Sequence, residues 1–204
     1  MTVTQVMGDL GRLRLACYQR RVALAWPAKL LLAFGMAALT GLAAQVRIPL
    51  PFTPVPITGQ LFAVLLSGAL LGGAWGGISQ VLYVGLGAVG VPWFSGLAGG
   101  MPLGPTAGYL MGFIPAAALI GAVSDRFVFT RYFGPQVTLM MLAVAVDYVC
   151  GAVGFMFLTG MGFHDALLLG VLPFVVFDLG KALAAAAVAW VVLPKGEANR
   201  AAED

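Results

Sequence analysis

Apolar positions along the chain gather in long blocks at 30–46, 61–72, 78–90, 108–123, 136–159 and 171–190. Shorter segments rich in charge, proline or glycine separate them. The blocks lack the strict apolar/polar alternation of an outer-membrane barrel strand, and a helix is the other backbone that satisfies its own N–H and C=O groups in lipid. The pattern therefore predicts an all-α integral membrane protein, a bundle of six transmembrane helices. A short connecting helix is expected over 163–171. Pro173 suits the first turn of the sixth span, where its missing N–H has no partner to lose. The first block repeats small residues at four-residue spacing, Ala33, Ala37 and Gly41, a pattern that lets another backbone approach closely.

The intervening segments divide the chain into a basic N-terminal arm (1–29), a membrane domain (30–193) and a tail (194–204). The arm carries Arg12, Arg14, Arg20, Arg21 and Lys29 and reads as an amphipathic, surface-lying segment rather than a signal peptide. Between the first two blocks, 47–60 holds Pro49, Pro51, Pro54 and Pro56. Prolines at this density forbid a helix and make the loop extended and stiff, as a lid would be. A glycine-rich turn at Gly72, Gly73, Gly76 and Gly77 separates the second block from the third. The segment 91–110 mixes glycine, proline and aromatics without a charge and reads as a second loop at the membrane surface. Six spans put both termini on one side, together with the basic arm, the Arg126 and Arg131 link and the tail residues Lys195 and Arg200; Arg47 lies opposite. The positive-inside rule makes that side cytoplasmic, in a plasma-type membrane. Both long loops and the start of the sixth helix then face outward over one pocket.

Composition agrees. The chain of 204 residues is 61% hydrophobic and 9% charged, with a mean hydropathy of +0.98, whereas soluble domains carry about 25% charged residues. Its pI near 9.1 comes from basic residues scattered at helix ends, which fits topology better than nucleic-acid binding. Cys17 and Cys150 lie in different environments and read as free thiols.

Against this apolar background, Asp178 and Lys181 stand out. An ionisable side chain within a span costs several kcal/mol unless it meets a partner or a cavity, and residues three apart share a helix face. The pair can be a structural ion pair between helices or part of a substrate path. Asp147 interrupts the fifth block and admits two readings, a protonated acid in a helix contact or a partner for Lys181. Catalytic chemistry is poorly supplied. The single histidine, His164, falls in a connecting segment, no cluster has metal-ligand spacing, and no GxxxxGK[ST] cradle for nucleotide phosphates is present. Ser79, Ser95 and Asp147 offer pieces of a hydrolase but no recognisable arrangement. No enzyme activity, metal or cofactor is expected.

The runs LAAQVRIPLPFTPVPITGQLFAVLLSGALLG, ISQVLYVGLGAVGVPWFSGLAGG, GPTAGYLMGF and GVLPFVVFDLGKALAAA together resemble BioY, the biotin-specific substrate-binding subunit of energy-coupling factor transporters. The resemblance covers about 30–190, in four blocks in the same order. It implies a six-helix bundle that captures biotin from outside and works with a transmembrane coupling protein and ATPase subunits, in keeping with the missing nucleotide motif. It assigns Asp178 and Lys181 of the Asp-x-x-Lys motif to biotin contact, Gln80 to a polar ligand position on the third helix, and Tyr109 to the pocket wall. Trp93 and Phe94 are expected to cover the fused rings, and Thr58 and Gln60 to belong to the outer lid. Ala33 and Ala37 match the small-residue stripe that such subunits present to the coupling protein.

Two departures accompany the likeness. ITGQL stands here where family members often read ITLQT, and Val176, Phe177 and Asp178 stand where they read PGD. Asp147 is a charge the family pattern does not contain. Biotin is a small monoanion with an apolar body and a ureido ring, and a pocket for it needs one cation, a few hydrogen-bonding groups and aromatic cover. Lys181, Gln80 and Trp93 match that inventory, which would equally suit other small carboxylates. The alternative from another class is a stand-alone secondary transporter with Asp147 and Asp178 as a proton relay.

Overall fold

The computed structural model describes residues 3–195. Arg200 and the rest of the expected tail beyond Lys195 lie outside the described residues. Among these, eight α-helices follow one another: α1 (Val3–Ala23), α2 (Trp26–Ala43), α3 (Gln60–Leu71), α4 (Gly73–Ala88), α5 (Ala107–Arg126), α6 (Phe133–Thr159), α7 (Phe163–Gly170) and α8 (Val175–Val192). Four of them, α2, α5, α6 and α8, are long and apolar enough to cross a membrane. At 12 residues α3 reaches only ~18 Å, and the 16 residues of α4 reach ~24 Å. Both fall short of a hydrocarbon core of about 30 Å.

Glycine geometry explains where the sequence-based boundaries shift. Gly72 and Gly73 adopt φ of 67° and 42°, a left-handed turn that L side chains resist. Gly76 and Gly77, expected in the same turn, are instead inside α4. Gly76 lies against Gly68 of α3, so these two glycines serve close packing rather than chain reversal. Pro27 occupies the start of α2, which begins earlier than expected. Beyond Pro173, α8 begins at Val175.

Helix α5 lies at the centre, packed on α3, α4 and α6, while α8 packs on α3 and α6, and α2 on α3 and α4. The core joins Leu61, Val64 and Leu65 of α3, Phe113 and Ile120 of α5, Met140 and Val144 of α6, and Ala182, Ala185 and Ala189 of α8. Alanines on α8 let that helix approach without large side chains intervening. Contact between α5 and α6 is closer still. A Cβ at Gly108 would meet the Cys150 carbonyl oxygen, and one at Gly154 would meet the Gly108 backbone. Small residues at such positions bring helices together where lipid offers no hydrophobic drive.

The proline loop is extended, as expected, and its ends pair as a short antiparallel hairpin, β1 (Arg47–Ile48) with β2 (Ile57–Thr58). Val55 and Ile57 tuck between Tyr109, Phe155 and Phe174, and the Thr53 hydroxyl donates to the Leu169 carbonyl at 2.7 Å. The loop thus closes over the start of α8.

At the other end of α3, α5 and α8, the basic arm is fastened to the bundle. Arg21 pairs with Asp125 at 2.6 Å and also donates to the Leu70 carbonyl. Arg131 is 2% exposed; it donates to the carbonyls of Ser124 and Pro194 and to the Tyr18 hydroxyl. Tyr18 lies beneath both guanidinium groups. Arg131, read from sequence as part of a charged link, is a buried brace between α1, α5 and the end of α8.

The α5–α6 contact leads to a test. Gly154→Leu should destabilise the folded protein by about 1–3 kcal/mol through overpacking, seen as a lower thermal midpoint in detergent. Gly134→Ala, at a position with open space around it, should leave that midpoint unchanged, and equal midpoints for the two variants would contradict the packing.

Candidate functional site

The N-terminal ends of α3, α5 and α8 converge with the proline loop and the segment 91–106 around a cavity of about 240 Å³. One water needs only roughly 10–15 Å³, so the cavity is sized for an organic molecule. Thr58, Gln60, Phe94, Ser95, Tyr109, Phe113, Asp147, Tyr148, Phe174, Asp178 and Lys181 are among the residues lining it. Apolar rings and a few polar groups at one pole make the usual composition of a small-molecule site.

The polar pole is built on α8 and α6. Lys181 Nζ donates to Asp178 Oδ1 at 2.6 Å, a pair one helical turn apart whose side chains are 18% and 6% exposed. Tyr148 Oη donates to the other oxygen, Oδ2, also at 2.6 Å. Both oxygens of the carboxylate therefore already have donors, and its charge is balanced by the ammonium. Lys181 has two further N–H donors for whatever enters. Asp147, one residue before Tyr148, is 3% exposed, and its Oδ1 has no hydrogen-bond partner. The two readings left open for Asp147 narrow here, because Lys181 pairs with Asp178. Tyr109 lines the wall and donates its hydroxyl to the Gly170 carbonyl at 2.5 Å, which joins α5 to the α7–α8 corner.

On the opposite wall a relay of hydrogen bonds connects lid, helix and loop. Thr58 Oγ1 donates to Gln60 Oε1 at 2.8 Å, Gln60 Nε2 to the Tyr83 hydroxyl at 2.7 Å, and that hydroxyl to the Trp93 carbonyl at 3.3 Å. Phe94 is buried, stacks edge-on against Tyr83 with ring centres 5.4 Å apart, and lines the cavity.

Six residues singled out from sequence thus meet at one cavity: Asp178, Lys181, Tyr109, Phe94, Thr58 and Gln60. Two do not. The indole of Trp93 turns away from the cavity lining to pack on Gly41 and donates to the Tyr83 carbonyl at 2.9 Å. Gln80 is fully buried between α2, α3 and α4, its amide donating to Ser67 and Ser79 at 3.0 Å and to Thr40 at 3.4 Å. Its amide nitrogen is met within the bundle while its Oε1 is buried without a donor, and Gln80 does not line the cavity. Ala33 and Ala37 are also completely buried. Together with Thr40 they form the inward face of α2, so in this arrangement the stripe packs internally and is not open to a partner.

Comparison with known proteins settles the kinship. The sequence pattern of the BioY family matches residues 18–197. The chain belongs to the BioY family. It is 42% identical over 139 residues to the "Probable biotin transporter BioY" of Methanothermobacter thermautotrophicus, across 64% of this chain and 88% of that one. To the biotin transporter BioY of Thermotoga maritima it is 37% identical, across 70% and 83% of the two chains. Its fold is similar to the crystal structure of the S-component for biotin from an ECF-type ABC transporter, with a TM-score of 0.74, 25% identity, and 82% and 93% of the two chains covered. The BioY match begins at residue 18, so it includes Tyr18 and Arg21 but leaves out most of α1.

Within this BioY chain, sequence reasoning missed Tyr148 and Gln45. Gln45 Nε2 lies within 2.9–3.3 Å of the carbonyls of Gly41, Trp93 and Phe94, while its Oε1 accepts from the Leu97 N–H at 3.0 Å. It ties the glycine-rich loop to the end of α2, next to Leu97, whose φ of 57° is the single positive value among described non-glycine residues. A lone amide just before a proline-rich loop carries no periodic signal. Tyr148 directly follows Asp147, and only the rotation of α6 against α8 shows which of them reaches Asp178.

The nearly buried pair can be tested independently of any ligand. Lys181→Met should destabilise the protein by about 3–5 kcal/mol, since it strands a carboxylate, and Lys181→Met with Asp178→Leu should recover much of that loss. Thermal unfolding in detergent reads both, and an additive double variant would refute the coupling.

Proposed function

We propose that this chain captures biotin and mediates its uptake across the plasma membrane as the substrate-binding subunit of an ECF-type transporter. The observation that carries the reading is the cavity of a BioY-family fold with the Asp178–Lys181 pair at its polar pole. Likeness to the biotin S-component, and to relatives named as biotin transporters, supports the ligand. Asp178 holds Lys181, whose remaining N–H groups meet an oxygen of biotin. Phe94, Tyr109, Phe113 and Phe174 enclose the apolar body, and Thr58 and Gln60 form the lid side. Likeness to the S-component of an ECF-type ABC transporter supports movement of substrate with a coupling protein and ATPase subunits as partners.

In this reading six helices, α2 to α6 and α8, cross the bilayer. The short α3 and α4 are accommodated by local thinning of the bilayer and by packing against α5. Both termini face the cytoplasm with the Arg21 and Arg131 cluster, and the cavity opens outward. The basic arm (1–29), the membrane domain (30–193) and the tail (194–204) form its three parts.

Purified protein in detergent is expected to bind biotin in calorimetry with a Kd between about 1 nM and 1 µM. Binding should not respond to a proton gradient in vesicles. Since a hydrogen bond to a charged group contributes about 1.5–3 kcal/mol, Lys181→Ala should weaken biotin by roughly tenfold to a hundredfold. Absence of biotin binding to the folded wild-type protein would overturn the reading.

A further inference from the structure

We propose that Arg47 is the cation that receives the ligand's carboxylate, at the mouth of the cavity and away from Lys181. The proposal rests on the biotin reading above and adds to it the direction in which the molecule lies.

Arg47 opens β1, where it stands directly across from Thr58 of β2. Residues directly opposite in an antiparallel pair share a face of the ribbon, and Thr58 lines the cavity. From there the guanidinium extends over the loop between Ser95 and Ala98, two further lining residues, and lies against Gly96. Gly96 adopts a φ of 76°, and a Cβ there would stand 2.5 Å from a guanidinium nitrogen. The missing side chain is what lets the cation rest on this loop. This side of the cavity meets solvent, since Met101 and Leu103 line it and are 70% and 73% exposed. Arg47 is itself exposed, and no carboxylate among the described residues pairs with it.

Formal charge then separates the two ends of the ligand. Lys181 is the one cation lining the cavity among the described residues, and Asp178 already neutralises it at 2.6 Å. With Asp147 protonated the polar pole is neutral, and with it ionised the pole is negative. In neither state is positive charge left over for an anion. A urea suits such a pole: its carbonyl accepts from a spare Lys181 N–H, and its N–H groups find lone pairs left on the Asp178 carboxylate. The alkyl chain then leads past Phe94 toward the loop 95–104, and the carboxylate emerges where the unpaired guanidinium can meet it as a planar fork.

Calorimetry with biotin and biotin amide on wild type, Arg47→Gln, Arg47→Lys and Lys181→Ala tests this. Wild type should prefer biotin over the amide by roughly fivefold to tenfold, the size of a partly exposed charged contact. That preference should shrink as salt is raised from about 0.05 M to about 0.5 M, a range in which the screening length falls below ~10 Å. Arg47→Gln should bring biotin down to the affinity of the amide while leaving the amide as in wild type, and Arg47→Lys should keep most of the preference. Lys181→Ala should weaken both ligands and keep their ratio. An Arg47→Gln protein that still prefers biotin as wild type does, or that loses both ligands equally, would overturn the assignment; the second result would mark Arg47 as a brace for the loop instead of a contact. Loss of the ratio in Lys181→Ala would overturn it too. So would a wild type indifferent to the carboxylate, or a preference indifferent to salt, both of which are read without any variant. Failure of wild type to bind biotin at all would overturn the biotin reading and this one with it.

Discussion

An ionisable side chain within a membrane-spanning helix is costly unless it meets a partner or a cavity, and the site is organised around meeting that demand at Asp178, which has both. One oxygen is met from within the same helix, by Lys181 one turn away. The other is met across the bundle by Tyr148 of α6. The second bond sets how α6 and α8 must be rotated relative to one another, and the helices can comply because their contact is lined by alanine on the α8 side. The local i, i+3 spacing would place the lysine in any helix, whereas the tyrosine requires the fold.

Close approach of α5 and α6 is the matching constraint. Gly108 and Gly112 on one helix and Gly151 and Gly154 on the other remove side chains where the two backbones meet. That proximity brings Asp147 and Tyr148 to the cavity edge instead of burying them behind a layer of larger residues. Tyr109, on the turn between the two α5 glycines, fills the space that Gly151 and Gly170 leave and reaches the corner before α8. Small residues and one large aromatic thus work together: the glycines bring the helices close, and the tyrosine fixes the corner from which α8 starts.

At the far end a different chemistry applies. Arg131 is buried by the protein and satisfied by two carbonyls and a hydroxyl, and Arg21 by a carboxylate and a carbonyl. Backbone carbonyls at helix C-termini lack intrahelical partners, and cations favour that end of the helix dipole. The same arginines that mark topology in the sequence therefore also hold α1, α3, α5 and the end of α8 at one base.

The sequence by itself determined the membrane class, the helical backbone, the extended proline loop and the shared helix face of Asp178 and Lys181, because these depend on composition and on spacing within a few residues. Blocks of apolar residues report helices whatever their neighbours, and residues three apart share a face of any helix, while the choice of Asp178 over Asp147 as the partner of Lys181 came from the structure. It did not determine which face of a helix meets the cavity. Gln80 and Trp93 have the chemistry of ligand contacts, yet the first bonds Ser67, Ser79 and Thr40 and the second bonds Tyr83. Ala33 and Ala37 form the stripe expected of a partner surface, yet it faces inward. Conversely, Tyr148, Gln45 and the unmet oxygen of Asp147 emerge only in three dimensions. In a chain that is apolar on nearly every side, periodicity cannot distinguish lipid from protein, so the assignment of faces was left to packing between helices far apart in sequence.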